Sequence, residues 1–252
     1  NFSDITRLLA DGQKALSAQG LAAPERVSRL VADFGFSSYQ IDDPERGFSF
    51  RQAGPLDMRL NRSATRTAAD VVHDYSEREL VHVFRRGGAQ DDAQSIARAI
   101  VQHRPFATTA ELANCLANAL QARHARRARK TGASLHTHPA TVAFQALRIE
   151  VNDELRSIQQ LLETLPHILA PGGRAAFISF HSLEDTLVTR ALRAYERSAT
   201  PRKLPVPGEV HGLGRLITRK AVGPSAAEAN ANPRSRSARL RVFERNNEKM
   251  HG

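Results

Sequence analysis

The stretch LAPGGRAAFISFHSLED, residues 169–185, is the most informative part of this chain about its architecture. A Pro/Gly turn precedes the short apolar run RAAFISF, and polar residues follow that run immediately. The next residues, SLEDTLVTRALRAYER, have the apolar spacing of an amphipathic helix, with Ser182 as the expected N-cap and two carboxylates in the first turn. Helix, glycine turn, strand, polar tip and helix in this order are typical of a doubly wound α/β sheet.

A second predicted strand carries a polar tip of the same kind. The segment VSRLVADFGFSS, residues 27–38, is predicted to form a short buried strand that ends in a glycine turn. In an open parallel sheet, ligands bind at the carboxyl ends of the strands. We therefore expect the tip bearing Asp33 and the tip bearing His181 to lie side by side on one sheet edge. Gly35 is expected to let a ligand approach the backbone.

Helical periodicity covers most of the remaining chain. Residues 3–19 have one apolar face, and residues 67–122 contain four helical patterns that each open on Ser, Thr or Asp. Residues 139–169 are interpreted as one long amphipathic helix, broken near Pro166. The sequence therefore predicts a helical block between two α/β segments.

Two further regions carry clusters of arginine. The basic run RHARRARKTG, residues 123–132, has no apolar face and is expected to be a solvated or disordered loop. Near the C-terminus, strands are predicted at 216–219 and 238–245, and NPRSRSARLR, residues 232–241, is expected to form an ordered turn and an edge strand. Several arginines of both regions are expected to hold phosphates.

The charge balance indicates a polyanionic partner. The 252 residues include 36 Lys and Arg against 26 Asp and Glu, a net charge of +10. Most of this charge comes from Arg, whose planar guanidinium suits phosphates and base edges, so nucleic acid is the first candidate. No apolar stretch approaches the roughly 18 residues of a membrane span, and no membrane partner is expected.

Several other site chemistries are disfavoured. A single cysteine, Cys115, leaves no intrachain disulfide or cysteine-based zinc site. Neither GxGxxG nor a P-loop occurs. The Ser, His and Asp types of FHSLED lack the GxSxG context of a hydrolase, and His181 with Asp185 supplies only two metal ligands. No metal site is predicted.

Four segments resemble one enzyme family. DFGFSSYQIDDPERGFSFRQAGPLDMRL, HPATVAFQALRIEVNDEL, LAPGGRAAFISFHSLED and NPRSRSARLRVFER occur in the order found in S-adenosylmethionine-dependent small-subunit ribosomal RNA (16S-type) cytosine-N4 methyltransferases. The resemblance covers residues 1–245. It implies an α/β fold, a Rossmann-like methyltransferase sheet with an inserted all-helical domain. The sheet is expected to be incomplete at its N-terminus, because the family's first strand and Gly-rich cofactor loop precede the matched region.

The resemblance also implies domain boundaries and cofactor contacts. Residues 1–62 and 139–252 correspond to the methyltransferase domain, and residues 63–138 to the inserted substrate-recognition domain. The cofactor is expected to be S-adenosylmethionine. The residues that match the family's cofactor contacts are Phe2, Asp33 and Gln40.

Further residues are expected to act on the substrate. Polar side chains near the two strand tips are expected to position the cytosine amine for methyl transfer: Asp33, Ser37, Ser38 and His181. Basic side chains from the insert, the helix after it and the C-terminal region are expected to bind RNA: Arg126, Arg127, Arg129, Lys130, Arg148, Arg234 and Arg236. Arg239 and Arg241 are candidates for the same role.

The predicted function is methyl transfer from S-adenosylmethionine to N4 of a cytidine in the decoding region of small-subunit ribosomal RNA. Two alternatives stay open: a non-catalytic assembly factor of the small ribosomal subunit on the same fold, and a methyltransferase for another substrate such as DNA. The expected partners are small-subunit ribosomal RNA and the assembling small subunit. The expected location is a bacterial cytoplasm, or the matrix of a mitochondrion or plastid.

Overall fold

The computed structural model describes residues 4–19, 25–35, 38–131, 138–197 and 212–247. The chain divides into two compact units. Asn1–Gly35 and Leu155–Gly252 form the first, which we call the α/β unit, and Phe36–Glu154 forms the second, which we call the helical unit. Among the helices of the described ranges, none combines the length and apolar character needed to cross a bilayer.

Four strands and ten α-helices are present in the described residues. The strands are β1 Val27–Asp33, β2 Leu169–Ser179, β3 Gly214–Leu216 and β4 Arg239–Arg245. The helices are α1 Ile5–Ala18, α2 Ser38–Asp42, α3 Ala68–Asp74, α4 Glu77–Arg86, α5 Ala93–His103, α6 Thr109–Thr131, α7 Thr141–Asn152, α8 Glu154–Ile168, α9 Ser182–Glu196 and α10 Ala226–Ala231. Short 3₁₀ turns cover Pro44–Arg46 and Pro233–Ser237.

The α/β unit contains a mixed sheet with the strand order β1-β2-β4-β3. β1 runs parallel to β2, whereas β4 is antiparallel to both of its neighbours. The strand predicted within 27–38 is confirmed as β1, but its expected burial is wrong, since Ala32 is the one buried residue of β1. The strand predicted in RAAFISF is confirmed, and so is the strand at 238–245. Its predicted edge position is wrong, since β4 lies between β2 and β3. The strand expected at 216–219 is wrong in its bounds, since β3 ends at Leu216.

The apolar face of α8 belongs to the core of the α/β unit. Its buried side chains recur at helical spacing: Ile158, Leu161, Leu162 and Leu165. They share one cluster with Phe177 of β2 and Phe243 of β4, both essentially inaccessible to solvent. Burying each such side chain contributes about 1.5–3 kcal/mol.

The long helix predicted for 139–169 is two helices. The chain leaves α7 at Asp153, whose backbone is left-handed at φ 51°, so the expected break near Pro166 is wrong. Pro166 lies inside α8, where its missing N–H leaves the Leu162 carbonyl oxygen without its helical donor. The Tyr195 hydroxyl donates to that oxygen at 2.8 Å, so a contact from α9 replaces the lost hydrogen bond.

The helical unit confirms the four helices predicted between residues 67 and 122, which are α3 to α6. Capping boxes start α3 at Thr67 and α4 at Ser76, as their sequences indicate. Apolar residues from both flanks, including Met58 and Phe144, share the buried cluster of these helices. The compact unit therefore extends beyond the implied insert, 63–138, on both sides.

The basic run at 123–132 is not the expected loop, because α6 continues to Thr131. Arginine and alanine are among the best helix formers, so the run extends a helix that buried leucines such as Leu116 and Leu120 anchor. The Arg123 Nε atom lies 2.9 Å from Asp92 Oδ1, which links the start of the run to the residue before α5.

Candidate functional site

The carboxyl ends of β1 and β2 lie next to each other in the α/β unit. Asp33 is aligned with Ile178 in the parallel register, and the Phe34 N–H donates to the Ile178 carbonyl oxygen at 3.0 Å. Paired strands are about 5 Å apart. The tip bearing Asp33 and the tip bearing His181 therefore share one sheet edge, and the predicted side-by-side placement is confirmed.

Asp33 presents an exposed carboxylate at this edge. Its Oδ1 atom accepts a hydrogen bond from the Gly35 N–H at 3.1 Å, and in the part of the chain that the structure describes Oδ2 accepts none. A Cβ atom at Gly35 would lie 2.7 Å from Cε2 of the Phe180 ring. The close packing of Phe180 thus explains this glycine, which sequence reasoning had assigned to ligand approach.

His181 is the N-cap of α9, so the expectation that Ser182 caps this helix is wrong. The His181 backbone is extended, and its Nδ1 atom accepts from the Glu184 N–H at 3.4 Å. Glu184 is buried, and its Oε2 atom accepts from the N–H groups of Phe180 at 2.7 Å and His181 at 3.2 Å. The imidazole thus replaces the usual capping hydroxyl. A catalytic role for His181 stays a prediction.

Asp185 makes a long-range contact that sequence reasoning missed. Its carboxylate accepts two hydrogen bonds from Arg241, through Nε and Nη2, and one from Arg239 Nη1 at 3.3 Å. Asp185 and the Arg241 side chain are largely buried. The hydrogen bonds from Arg241 hold the pKa of Asp185 below its usual value, and Asp185 in turn raises the pKa of Arg241.

A partial signal for this contact exists in the sequence. Arg239 and Arg241 are two residues apart on a predicted strand, so their side chains point to one face of the sheet. The helix that supplies Asp185 follows β2, and β4 pairs with β2. That pairing is absent from the sequence pattern, and without it the carboxylate appears only as a favourable charge at a helix start.

Some of the predicted site residues lie outside the described residues. These are Phe2 and Ser37, together with the side chains of Ser38, Arg127 and Lys130. Gln40 is half-buried on α2 in the helical unit. Their proposed roles in cofactor or substrate binding stay predictions.

The described cations predicted to bind RNA differ in exposure. Arg126 and Arg129 are exposed on the second half of α6, and Arg234 and Arg236 are exposed on the turn Pro233–Ser237. Arg148 is different, since its side chain is 15% exposed and donates two hydrogen bonds to Glu154, at 2.8 and 2.9 Å. This ion pair gives Arg148 a local structural role, and its contact with RNA stays a prediction.

A mixed α/β sheet with polar side chains at two adjoining strand ends is compatible with a methyltransferase fold. The family model described as the MraW methylase family matches residues 1–246. The chain therefore belongs to the MraW methylase family. This match confirms the family resemblance found in the sequence.

Several curated relatives carry the name Ribosomal RNA small subunit methyltransferase H. The protein from Cyanothece sp. (strain PCC 7425) is 46% identical over 220 residues, which cover 87% of this chain and 66% of the relative. The Acidobacterium capsulatum protein is 40% identical, covering 96% of this chain and 74% of the relative, and the Acidiphilium cryptum protein is 44% identical, covering 97% and 74%. The chain thus spans just under two thirds of the length of the Cyanothece relative.

Proposed function

We propose that this protein transfers a methyl group from S-adenosylmethionine to N4 of a cytidine in the decoding region of small-subunit ribosomal RNA. The observation that carries the proposal is the exposed Asp33 carboxylate at the shared edge of β1 and β2. It lies in a chain that is 46% identical to a protein named for methylation of small-subunit ribosomal RNA. The net charge of +10 supports a polyanionic substrate.

The groups at the sheet edge suit the proposed cofactor. S-adenosylmethionine has hydroxyl and amino groups, and a carboxylate accepts hydrogen bonds from both. Asp33 is exposed, and one of its oxygens bonds Gly35, which leaves the other for a ligand. When bound, the cofactor supplies an electrophilic methyl group on a sulfonium with a good leaving group. Contacts from Phe2 and Gln40 follow from the family motif.

Asp33 is proposed to prepare the nucleophile. The exocyclic amine of cytosine is a poor nucleophile, because its lone pair is delocalised into the ring. A carboxylate that accepts a hydrogen bond from this amine favours a pyramidal nitrogen and can take the proton that the amine loses on methylation. Ser37, Ser38 and His181 are proposed to support the position of the base, which must leave its stack to reach the edge.

We infer that the helical unit contains the inserted domain and contributes to RNA binding. The exposed arginines of α6, Arg126 and Arg129, are proposed to contact phosphates, together with Arg127 and Lys130. The proposed partner beyond the RNA itself is the assembling small subunit. Because the relatives are bacterial proteins, we place the reaction in a bacterial cytoplasm.

The substitution Asp33→Asn tests the proposal. Asparagine keeps an oxygen that can accept from Gly35, so the turn is retained while the charge is removed. We expect transfer of labelled methyl from S-adenosylmethionine to small-subunit RNA, or to immature subunits, to fall on the order of 100-fold. The control is Asp11→Asn, an exposed carboxylate on α1, which should leave transfer unchanged.

Two further measurements separate the roles of Asp33. A weaker dissociation constant for S-adenosylmethionine by calorimetry, with unchanged transfer at saturation, would assign Asp33 to cofactor binding. A lower rate at saturation would assign it to the base. Equal transfer by the wild type and Asp33→Asn would remove Asp33 from the site. A full-length protein that binds immature subunits and transfers no methyl group would contradict the proposed function and favour an assembly factor.

A further inference from the structure

The β4 side of the β2 carboxyl end carries a groove. Its volume is about 520 Å³, and residues of three segments line it: 180–182, 221–224 and 236–239. All three belong to the α/β unit. We call this surface the β2–β4 groove. β2 lies between β1 and β4 in the sheet. The groove therefore lies on the β4 side of the β2 carboxyl end, whereas Asp33 lies on the β1 side.

The groove has a positive charge that its surroundings do not cancel. Arg236 is exposed, and no carboxylate of the described residues lies within salt-bridge distance of it. The Arg239 side chain is 48% exposed and shares Asp185 with Arg241. The Glu184 carboxylate lies behind the groove, where it accepts from the backbone N–H groups of Phe180 and His181. Three guanidinium groups and two carboxylates, Asp185 and Glu184, therefore leave one positive charge at this surface. An anionic ligand is therefore favoured.

Asp185 positions the side chain of Arg239. Its Nη1 atom lies 3.3 Å from Asp185 Oδ2, and Arg241 fixes that carboxylate with two hydrogen bonds. A guanidinium has five N–H donors in a rigid plane, so one contact with Asp185 leaves donors for a ligand. Held in this way, Arg239 loses less side-chain freedom when it binds an anion.

Small residues form part of the groove lining. Ala221 and Gly223 are among them, and their segment lies beside β4 through the bridge between Val222 and Leu240. A Cβ atom at Gly223 would meet only the Ala238 carbonyl oxygen, at 3.9 Å, so packing does not require this glycine. Ser182 and Ser237 add hydroxyl donors to the lining. Arginines, hydroxyl groups and open space together suit a sugar–phosphate chain.

We propose that the β2–β4 groove binds a phosphodiester of small-subunit ribosomal RNA, with Arg236 and Arg239 as its ligands. This inference rests on the proposed function, because that function supplies the RNA. It adds to that function by giving each side of the β2 carboxyl end its own role. On the β1 side, the Asp33 carboxylate is assigned to methyl transfer. On the β4 side, the groove binds the backbone of the substrate RNA.

The test is RNA binding by the full-length protein and the double variant Arg236→Gln/Arg239→Gln. Asp185 keeps both hydrogen bonds from Arg241 in this variant, so the fold should persist, which circular dichroism checks. Anisotropy of a labelled decoding-region RNA fragment is measured over a series of salt concentrations. We expect an affinity loss of about 10-fold or more and a salt slope smaller by about 0.7–1.8, since each lost phosphate contact removes about 0.7–0.9.

The matched control is Arg193→Gln. Arg193 is exposed on α9, eleven residues after the start of that helix at the groove, or about 16 Å along its axis. This substitution removes a positive charge from the same unit at a position away from the groove, and it should leave affinity and salt slope near those of the wild type. If this control lost as much RNA affinity as the double variant, the loss would reflect net charge and not the groove, and the inference would be overturned.

Other outcomes separate the inference from the proposed function. Unchanged RNA affinity and salt slope in the double variant would overturn the proposal that the groove binds RNA, whether or not the protein transfers a methyl group. Weaker binding of S-adenosylmethionine with unchanged RNA binding would assign the arginines to the cofactor carboxylate and also overturn it. Lost RNA binding in the variant, beside a wild type that transfers no methyl group, would support the groove and refute the proposed activity.

Discussion

Two sets of polar contacts, one taken from each unit, differ in their range along the chain. In the helical unit, the capping boxes of α3 and α4 join residues three positions apart, Thr67 with Asp70 and Ser76 with Glu79. In the α/β unit, Asp185 binds Arg241, which lies 56 residues later. Local pairs can form as soon as a helix turn forms. The distant pair requires the sheet, so its loss should cost more and should reach the surface proposed to bind RNA.

The largest expected effect comes from Asp185→Ala. The substitution leaves the Arg241 guanidinium buried, at 11% exposure, and without its carboxylate. Removing one member of a buried ion pair costs about 3–5 kcal/mol. Urea unfolding followed by circular dichroism measures the loss. Arg239→Gln is the contrast, because it leaves the pair with Arg241 intact and should cost less than about 1 kcal/mol.

The same pair has a pH dependence with a definite sign. Arg241 lowers the pKa of Asp185 in the folded protein, below the unfolded value of about 3.9. Its stabilisation is therefore present above that value and is lost as the pH falls through the folded pKa. Stability of Asp185→Ala should fall less than that of the wild type on acidification below about pH 4. Parallel pH profiles would show that the ion pair contributes little.

A steric test comes next, in the helical unit. A Cβ atom at Gly87 would lie 2.1 Å from Cβ of Ala146, so α4 and α7 approach closely at this glycine. Gly87 has φ −79°, which alanine adopts freely, so only the collision matters. We expect Gly87→Ala to cost about 1–3 kcal/mol by overpacking, measured by urea unfolding.

The matched control for Gly87 is Gly12→Ala on α1. A Cβ atom at Gly12 meets nothing within 4 Å, and alanine is the better helix former by about 1 kcal/mol. This variant should be as stable as the wild type or more so. If both alanine variants behaved alike, the close approach of α4 and α7 would be in doubt.

The smallest expected effect belongs to a local cap. Ser76→Ala removes the hydroxyl that accepts from the Glu79 N–H at 3.3 Å and should cost about 1 kcal/mol. Amide hydrogen exchange at the first turn of α4 measures it, with Ser76→Asp as the conservative replacement that restores an acceptor. A loss as large as that of Asp185→Ala would contradict the proposed difference between local and distant contacts.

Much of the fold could be predicted from the sequence. The periodicity of residues 67–122 predicts α3 to α5 and the first part of α6, although α6 continues to Thr131. The apolar runs at β1 and β2 predict the parallel pair and its polar tips. In both cases the information is local. The same local reasoning misplaced the break between α7 and α8, because the Tyr195 hydroxyl makes Pro166 tolerable inside a helix.

The candidate site was predictable to a smaller extent. Asp33 at the edge follows from the strand and its glycine turn. The capping function of His181 and the explanation of Gly35 both depend on which group packs beside them. The groove was not predictable, because its three lining segments come together only through the pairing of β2 with β4 and the bridge between Val222 and Leu240.

The sequence alone determined the helical periodicity, the polar strand tips, the basic charge and the family to which the chain belongs. Each of these depends on residues close together in the chain or on motif identity. Only the tertiary structure decided that Asp185 binds Arg241, that β4 lies inside the sheet, and that Arg236 and Arg239 face one groove. Those contacts arise from strand register and burial, which bring distant residues together and which no local pattern encodes.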